Sequence, residues 1–145
     1  MSPGRTDVTV LRRHMLALDE VLAQLDKHVG APIETLSADL DERWAVERGL
    51  QLCVQNVLDI ATHLVASAGR DATDYTSAID LLGQLGILSP SLTRALRPLA
   101  GFRNALVHGY LGVDLSIVHA VLNQHLDHVR DFMAAVNQHI VSQGP

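Results

Sequence analysis

Apolar residues recur in steps of three and four over two long stretches of this chain, and that period most tightly limits its fold. Leu11, Met15, Leu18, Leu22, Leu25 and Val29 follow it from about Asp7 to His28. Leu115, Val118, Leu122, Leu126, Val129, Met133, Val136 and Ile140 follow it near the other end. Such a pattern lines one face of an α-helix, whereas a half-buried strand would alternate by two. Aromatic residues make up only 3% of the chain and hydrophobic residues 48%, so Leu, Val, Ile and Ala must fill the core. With few aromatics to furnish strands, the balance tilts to helix.

Punctuation then divides the chain into about five helices. "GAPIET" interrupts the first pattern with Gly30 and Pro32. Ser37 or Asp39 can cap a long second helix carrying Leu40, Trp44, Leu50, Val54, Val57, Ala61 and Leu64. Thr73 or Asp74 can cap a short third helix through Leu81 and Leu85. Ser89 with Pro90 opens a fourth. Pro98 lacks a backbone donor, so a kink or break is expected near Arg97. Asp114 caps the fifth helix, and no segment reads as a strand. The expected architecture is an all-α, antiparallel bundle forming one domain over 1–145, with 1–6 and 141–145 frayed.

One cysteine, Cys53, excludes an internal disulfide and fits a reducing compartment. No apolar run approaches a membrane span and no signal-peptide core opens the chain, so a cytoplasmic location is expected. A net charge of −5 argues against wholesale electrostatic binding of nucleic acid but leaves room for a local basic site. Arg94, Arg97 and Arg103 fall close together in sequence, either as a phosphate-binding group or as a solvated face.

Those arginines lead into "RNALVHGY", residues 103–110. Leu99, Phe102 and Leu106 should face the core, and Asn104 and His108, four apart, share another face. Each of the two lies about 200° round the helix from a core residue, so both point away from the chain's own interior. Gly109 follows His108 where a helix commonly ends. Arg103 is five residues before His108, about 140° away on a straight helix, so the two splay. A histidine, a fixed cation and the phenol of Tyr110 form a kit for phosphoryl transfer; equally, a histidine before a glycine can be plain helix-end chemistry. One histidine does not readily act as both base and acid, which points to a second from a two-fold mate.

The stretch "FRNALVHGYLGVD" resembles the Arg-x4-His-x-Tyr motif of HepT-like toxins, a branch of the all-helical HEPN superfamily. "RWAVERGLQLCVQNVLDIATHLV" resembles that family's second helix, and "LLGQLGILSPSLTRALRPLAGFRN" its approach to the motif. The resemblance covers nearly the whole chain and implies a homodimeric endoribonuclease, independent of metal and cofactor, that uses RNA's own 2′-hydroxyl as nucleophile. It implies catalytic roles for Arg103, His108 and Asn104. It further implies a toxin paired with a small nucleotidyltransferase-fold antitoxin, which would silence it by transferring AMP to Tyr110. Pro98, and Gly109 at a position where acidic residues are also common in the family, are departures that bear on local geometry. The alternative is a non-catalytic helical module whose same surface holds nucleotide or antitoxin.

Other polar groups invite weaker readings. His125 and His128, with Asp127 and Asp131 nearby, have the spacing of a zinc pair, but no Cys/His pattern completes a site, and a solvated face is the simpler account. His63 and His119 are expected at helix interfaces as hydrogen-bonded residues. Along "DLDERWAVER", Arg43 and Glu47 can pair on an exposed face with Trp44 packed beneath; alternatively Glu42, Arg43, Glu47 and Arg48 face a mate. No phosphate-cradling glycine loop is present, so the chain is not expected to bind ATP alone.

Overall fold

The computed structural model describes residues 7–109 and 111–143, and no strand occurs among them. Eight helices account for the regular structure: α1 (Val8–Asp26), α2 (Ile33–Ala38), α3 (Leu40–Ser67), α4 (Tyr75–Gln84), α5 (Pro90–Leu96), α6 (Pro98–His108), α7 (Leu115–Gln124) and α8 (Leu126–Ser142). The five expected stretches are all present, and three differences raise the count. The "GAPIET" break contains α2, six residues that start from extended Pro32 and bury only Leu36, too short a helix to show a period. Pro98 separates α5 from α6 as its missing donor predicts. The last stretch divides at His125, whose backbone opens to φ −115° and ψ −8°. Just before it, the Asn123 amide donates to the His119 carbonyl at 2.8 Å, drawing on an acceptor of the helical ladder.

Helix starts follow the capping chemistry. Asp39 accepts from the Glu42 amide, Asp74 from that of Ser77, Ser89 from that of Leu92 and Asp114 from that of Ser116. At the far end α8 runs to Ser142, whose hydroxyl donates to the His139 carbonyl at 2.8 Å.

The core is built round α3, which packs against α1, α2, α4, α6 and α7. Val46, Leu50, Cys53, Val57, Leu58, Ile60 and Leu64 leave almost no surface on it. Full burial of each large apolar side chain contributes about 1.5–3 kcal/mol. Burial pushes the Cys53 thiol up to about 12, opposed in small part by the Arg130 charge. Leu11, Met15, Leu18, Leu22 and Leu25 of α1 are buried, but Val29 is exposed because α1 ends at Asp26. Leu40 and Trp44 are also exposed, since burial along α3 begins only at Val46. No ion pair joins Arg43 to Glu47; the pairs among the described residues include His28–Glu42, Arg97–Asp80 and Arg130–Asp26. None of the helices described is long and apolar enough to cross a membrane.

Candidate functional site

The site begins with the register of α6. Leu99 and Phe102 are buried and Leu106 packs against the core, as their spacing predicts. That orientation leaves Asn104 and His108 exposed on the outer surface. His108 is the last residue of α6, and no hydrogen bond ties its ring among the described residues.

Gly109 turns the chain directly after it. A Cβ there would lie 2.5 Å from the Ala105 carbonyl oxygen and 2.7 Å from a Val113 methyl, so only glycine fits. The Gly112 amide donates to the Gly109 carbonyl at 2.9 Å and closes the turn. Tyr110, the expected acceptor of AMP, lies outside the described residues.

Arg103 takes the other direction. Its Nε donates to Gln55 Oε1 at 3.0 Å, and a terminal nitrogen donates to Asn104 Oδ1 at 3.2 Å. The guanidinium carbon stands 5.4 Å from the centre of the Tyr75 ring, within cation–π range. Gln55 is itself held, its amide donating to Asp59 Oδ1 at 2.8 Å and to the Tyr75 hydroxyl at 3.3 Å. A network from α3, α4 and α6 thus orients Arg103 while leaving further donors for an oxyanion. No hydrogen bond joins Arg103 to His108 among the described residues, in keeping with the splay expected from their spacing.

Gln55, Asp59 and Tyr75 were missed in the sequence. A signal was available: Gln55 and Asp59 are polar residues four apart, on one helical face, inside the mostly apolar run "LCVQNVLDIA". The three neighbouring arginines do not act as one group. Arg97 is committed to Asp80 through two hydrogen bonds, at 2.7 and 3.2 Å. Arg103 serves the network above, and Arg94 is exposed.

Two grooves flank α6. One, of about 350 Å³, has Trp44, Glu47, Arg48 and Gln51 of α3 on one wall and Leu106 and Gly109 on the other. Trp44 is not packed beneath a charged face but 61% exposed on the rim. The other, of about 480 Å³, is apolar and runs between α6 and α7 past Gly101, Ala105, Ile117 and Ala120 to His125.

Four other histidines make contacts within the fold. His119 Nε2 donates to the Ala31 carbonyl at 3.0 Å, and His63 Nε2 accepts from the Asp7 amide at 3.2 Å. The Nδ1 atoms of His125 and His128 stand 3.2 Å apart, one donating to the other. Partial burial, then the neighbouring His128, lower the His125 pKa. No three His, Cys, Asp or Glu side chains converge on a metal-sized site among the described residues.

Comparison with known proteins gives this geometry a family. A family model described as "Ribonuclease HepT-like" matches residues 18–136, a span that holds Gln55, Tyr75, Arg103 and His108. The chain is 24% identical over 135 residues to the tRNA nuclease HepT of Aphanizomenon flos-aquae, covering 92% of this chain and 91% of that one. It is 29% identical over 94 residues to the mRNA nuclease HepT of Shewanella oneidensis, covering 60% and 66%. In fold it is similar to a tri-AMPylated Shewanella oneidensis HEPN toxin solved in complex with an MNT antitoxin, with a TM-score of 0.79, 22% identity and 89% and 97% of the chains covered. It is similar also to YutE, a cytosolic protein of unknown function from Bacillus subtilis, with a TM-score of 0.84, 20% identity and 100% and 97% covered. The match over residues 18–136 spans most of the 145-residue chain, and the chain belongs to the HepT-like ribonuclease family, a family of enzymes.

Proposed function

We propose that this chain is the toxin of a toxin–antitoxin pair and cleaves RNA in the cytoplasm without metal, with Arg103, Asn104 and His108 as its catalytic residues. The observation that carries the reading is the division of labour on α6. Arg103 is anchored by Gln55 and Asn104, while the His108 ring is exposed at the helix end. A fixed cation suits the charge that builds on phosphate oxygens, and a free imidazole suits proton transfer. The RNA 2′-oxygen attacks the adjacent phosphorus as His108 takes its proton, and the bond to the 5′-oxygen breaks. The products are a 2′,3′-cyclic phosphate and a 5′-hydroxyl, the latter protonated by an imidazolium.

A base and an acid at one phosphate call for two imidazoles, hence a homodimer. Gly101, Ala105 and His108 follow one another at steps of four and three, so a mate seated on the small residues brings its own His108 alongside. The neighbouring apolar groove, with Ile117 47% exposed, supports a buried contact there.

Neutralisation is assigned to a nucleotidyltransferase-fold antitoxin acting on Tyr110. The phenol oxygen attacks the α-phosphorus of ATP, pyrophosphate leaves, and the phenol proton passes to solvent. The adduct adds bulk and negative charge two residues from His108. Support comes from the motif position of Tyr110 and from the likeness in fold to a tri-AMPylated toxin.

The test is His108→Ala. Purified variant should lose RNA cleavage by about a hundredfold or more and no longer arrest growth on expression. Undiminished cleavage would remove His108 from the chemistry. A wild-type chain that binds the antitoxin yet cleaves no RNA would identify a binding module instead. Co-expression with the antitoxin should add an AMP-sized mass that vanishes in Tyr110→Phe, and an adduct elsewhere would overturn that assignment.

A further inference from the structure

We infer that Trp44 and the groove it rims form a nucleobase subsite, taking one unstacked base of single-stranded RNA next to the scissile phosphate. The inference rests on the ribonuclease reading above and adds to it a place for the substrate.

An indole is the largest apolar side chain, and leaving 61% of it in water needs a reason. Here it stands over a groove whose far wall ends at Gly109, the residue after His108. His108 itself lies outside the lining, so the groove begins one residue further along the chain, within reach of a nucleotide adjoining one held at His108. Single-stranded RNA is recognised by stacking splayed bases on aromatic faces and reading their edges with polar side chains. Both components are present. Leu106 and Val113 supply an apolar floor, and Glu47, Arg48 and Gln51 share the wall with Trp44.

Each polar group has chemistry to offer. Arg48 is exposed and uses one terminal nitrogen to donate to Gln51 Oε1 at 3.2 Å, which leaves donors for a flanking phosphate. Glu47 is half-buried and in no ion pair among the described residues. An ionised carboxylate only accepts hydrogen bonds, so Glu47 favours bases bearing an amino group, adenine, cytosine or guanine, over uracil, whose one edge donor, N3–H, lies between two carbonyl oxygens that repel a carboxylate. A protein mate is the poorer occupant, because it would strip water from Glu47 and Arg48 while an apolar groove lies open between α6 and α7. A free adenine nucleotide presents the same stacking face, and the experiment separates it from RNA.

Trp44 is the only tryptophan of the chain, so its emission reports on this groove alone. The wild-type protein is titrated with short 2′-O-methyl oligonucleotides, which lack the attacking hydroxyl, and separately with AMP. Saturable quenching is expected, at lower concentration for oligo(A) and oligo(C) than for oligo(U), and for AMP only at far higher concentration. In RNA cleavage, Trp44→Ala should raise KM about tenfold with kcat changed about twofold or less, and Trp44→Phe should restore most of the KM. A surface truncation with a purely structural effect would not give that split or that rescue.

Oligonucleotide binding that saturates by anisotropy while the emission stays constant overturns the subsite, as does an unchanged KM in Trp44→Ala. Equal quenching by AMP and oligonucleotide reassigns the groove to a free nucleotide. Emission that follows protein concentration alone, with dissociation of the dimer in Trp44→Ala, reassigns it to the mate. If the wild type cleaves no RNA, the ribonuclease reading fails, and the emission titration still decides whether bases stack on Trp44.

Discussion

At the scale of single residues, Arg103 is defined less by its place in α6 than by what holds it. Gln55 Oε1 accepts from its Nε across 48 positions of sequence, and Tyr75 lies under its guanidinium. The Asn104–His108 face was legible from spacing alone, because residues four apart on one helix need no tertiary information. Gln55 and Tyr75 were not legible as partners of Arg103, since only the packing of α3, α4 and α6 brings them together. Removing Gln55 should therefore test the network without touching the chemistry. A hydrogen bond to a charged group contributes about 1.5–3 kcal/mol, so Gln55→Ala should lower kcat/KM roughly tenfold or more. Its melting temperature should fall by only a few degrees, because Gln55 is half-buried and water can replace part of the lost bond in the free protein. Cleavage assays beside thermal melts check this, and wild-type activity in the variant would show that Arg103 needs no anchor.

At the scale of elements, the strong periods of α1 and α3 were readable because each long helix repeats its signal several times. Short elements escaped: α2 buries one leucine, and the division of α7 from α8 is a local opening at His125 inside an unbroken apolar seam. That opening carries a titration. The folded chain holds His125 below its ordinary value of 6.5, through burial first and His128 second. Between the lowered folded value and about 6.5, the unfolded chain binds more protons, so stability rises with pH through that window and is lost as pH falls through it. His125→Gln removes the proton uptake. From about pH 7.5 to about pH 5.5 the wild type should lose more melting temperature than the variant. Parallel curves for the two proteins would exclude His125 as a source of acid sensitivity.

At the scale of the whole molecule, family and all-helical architecture were legible, whereas the proposed pairing of two copies rests on one histidine not serving as both base and acid, on the splay of Arg103 and His108, and on the resemblance. Gly101 offers a direct test, because a Cβ added there meets nothing within 4 Å in its own chain. Gly101→Leu should leave the monomer as stable or slightly more so, since glycine is the poorer helix former by about 1 kcal/mol. In the proposed dimer it should weaken association about thirtyfold or more and lower cleavage in step, as read by sedimentation and RNA assays. An intact dimer with full activity would remove this face from the interface. The buried Cys53 makes a sharper measurement possible. Thiol reagents attack the thiolate, and a thiol sealed in the core and held protonated offers them nothing. A cysteine introduced on the surface would thus be the sole target for a spin label. In the proposed dimer two labels, one on each copy, would turn the distance between the copies into a ruler read in solution.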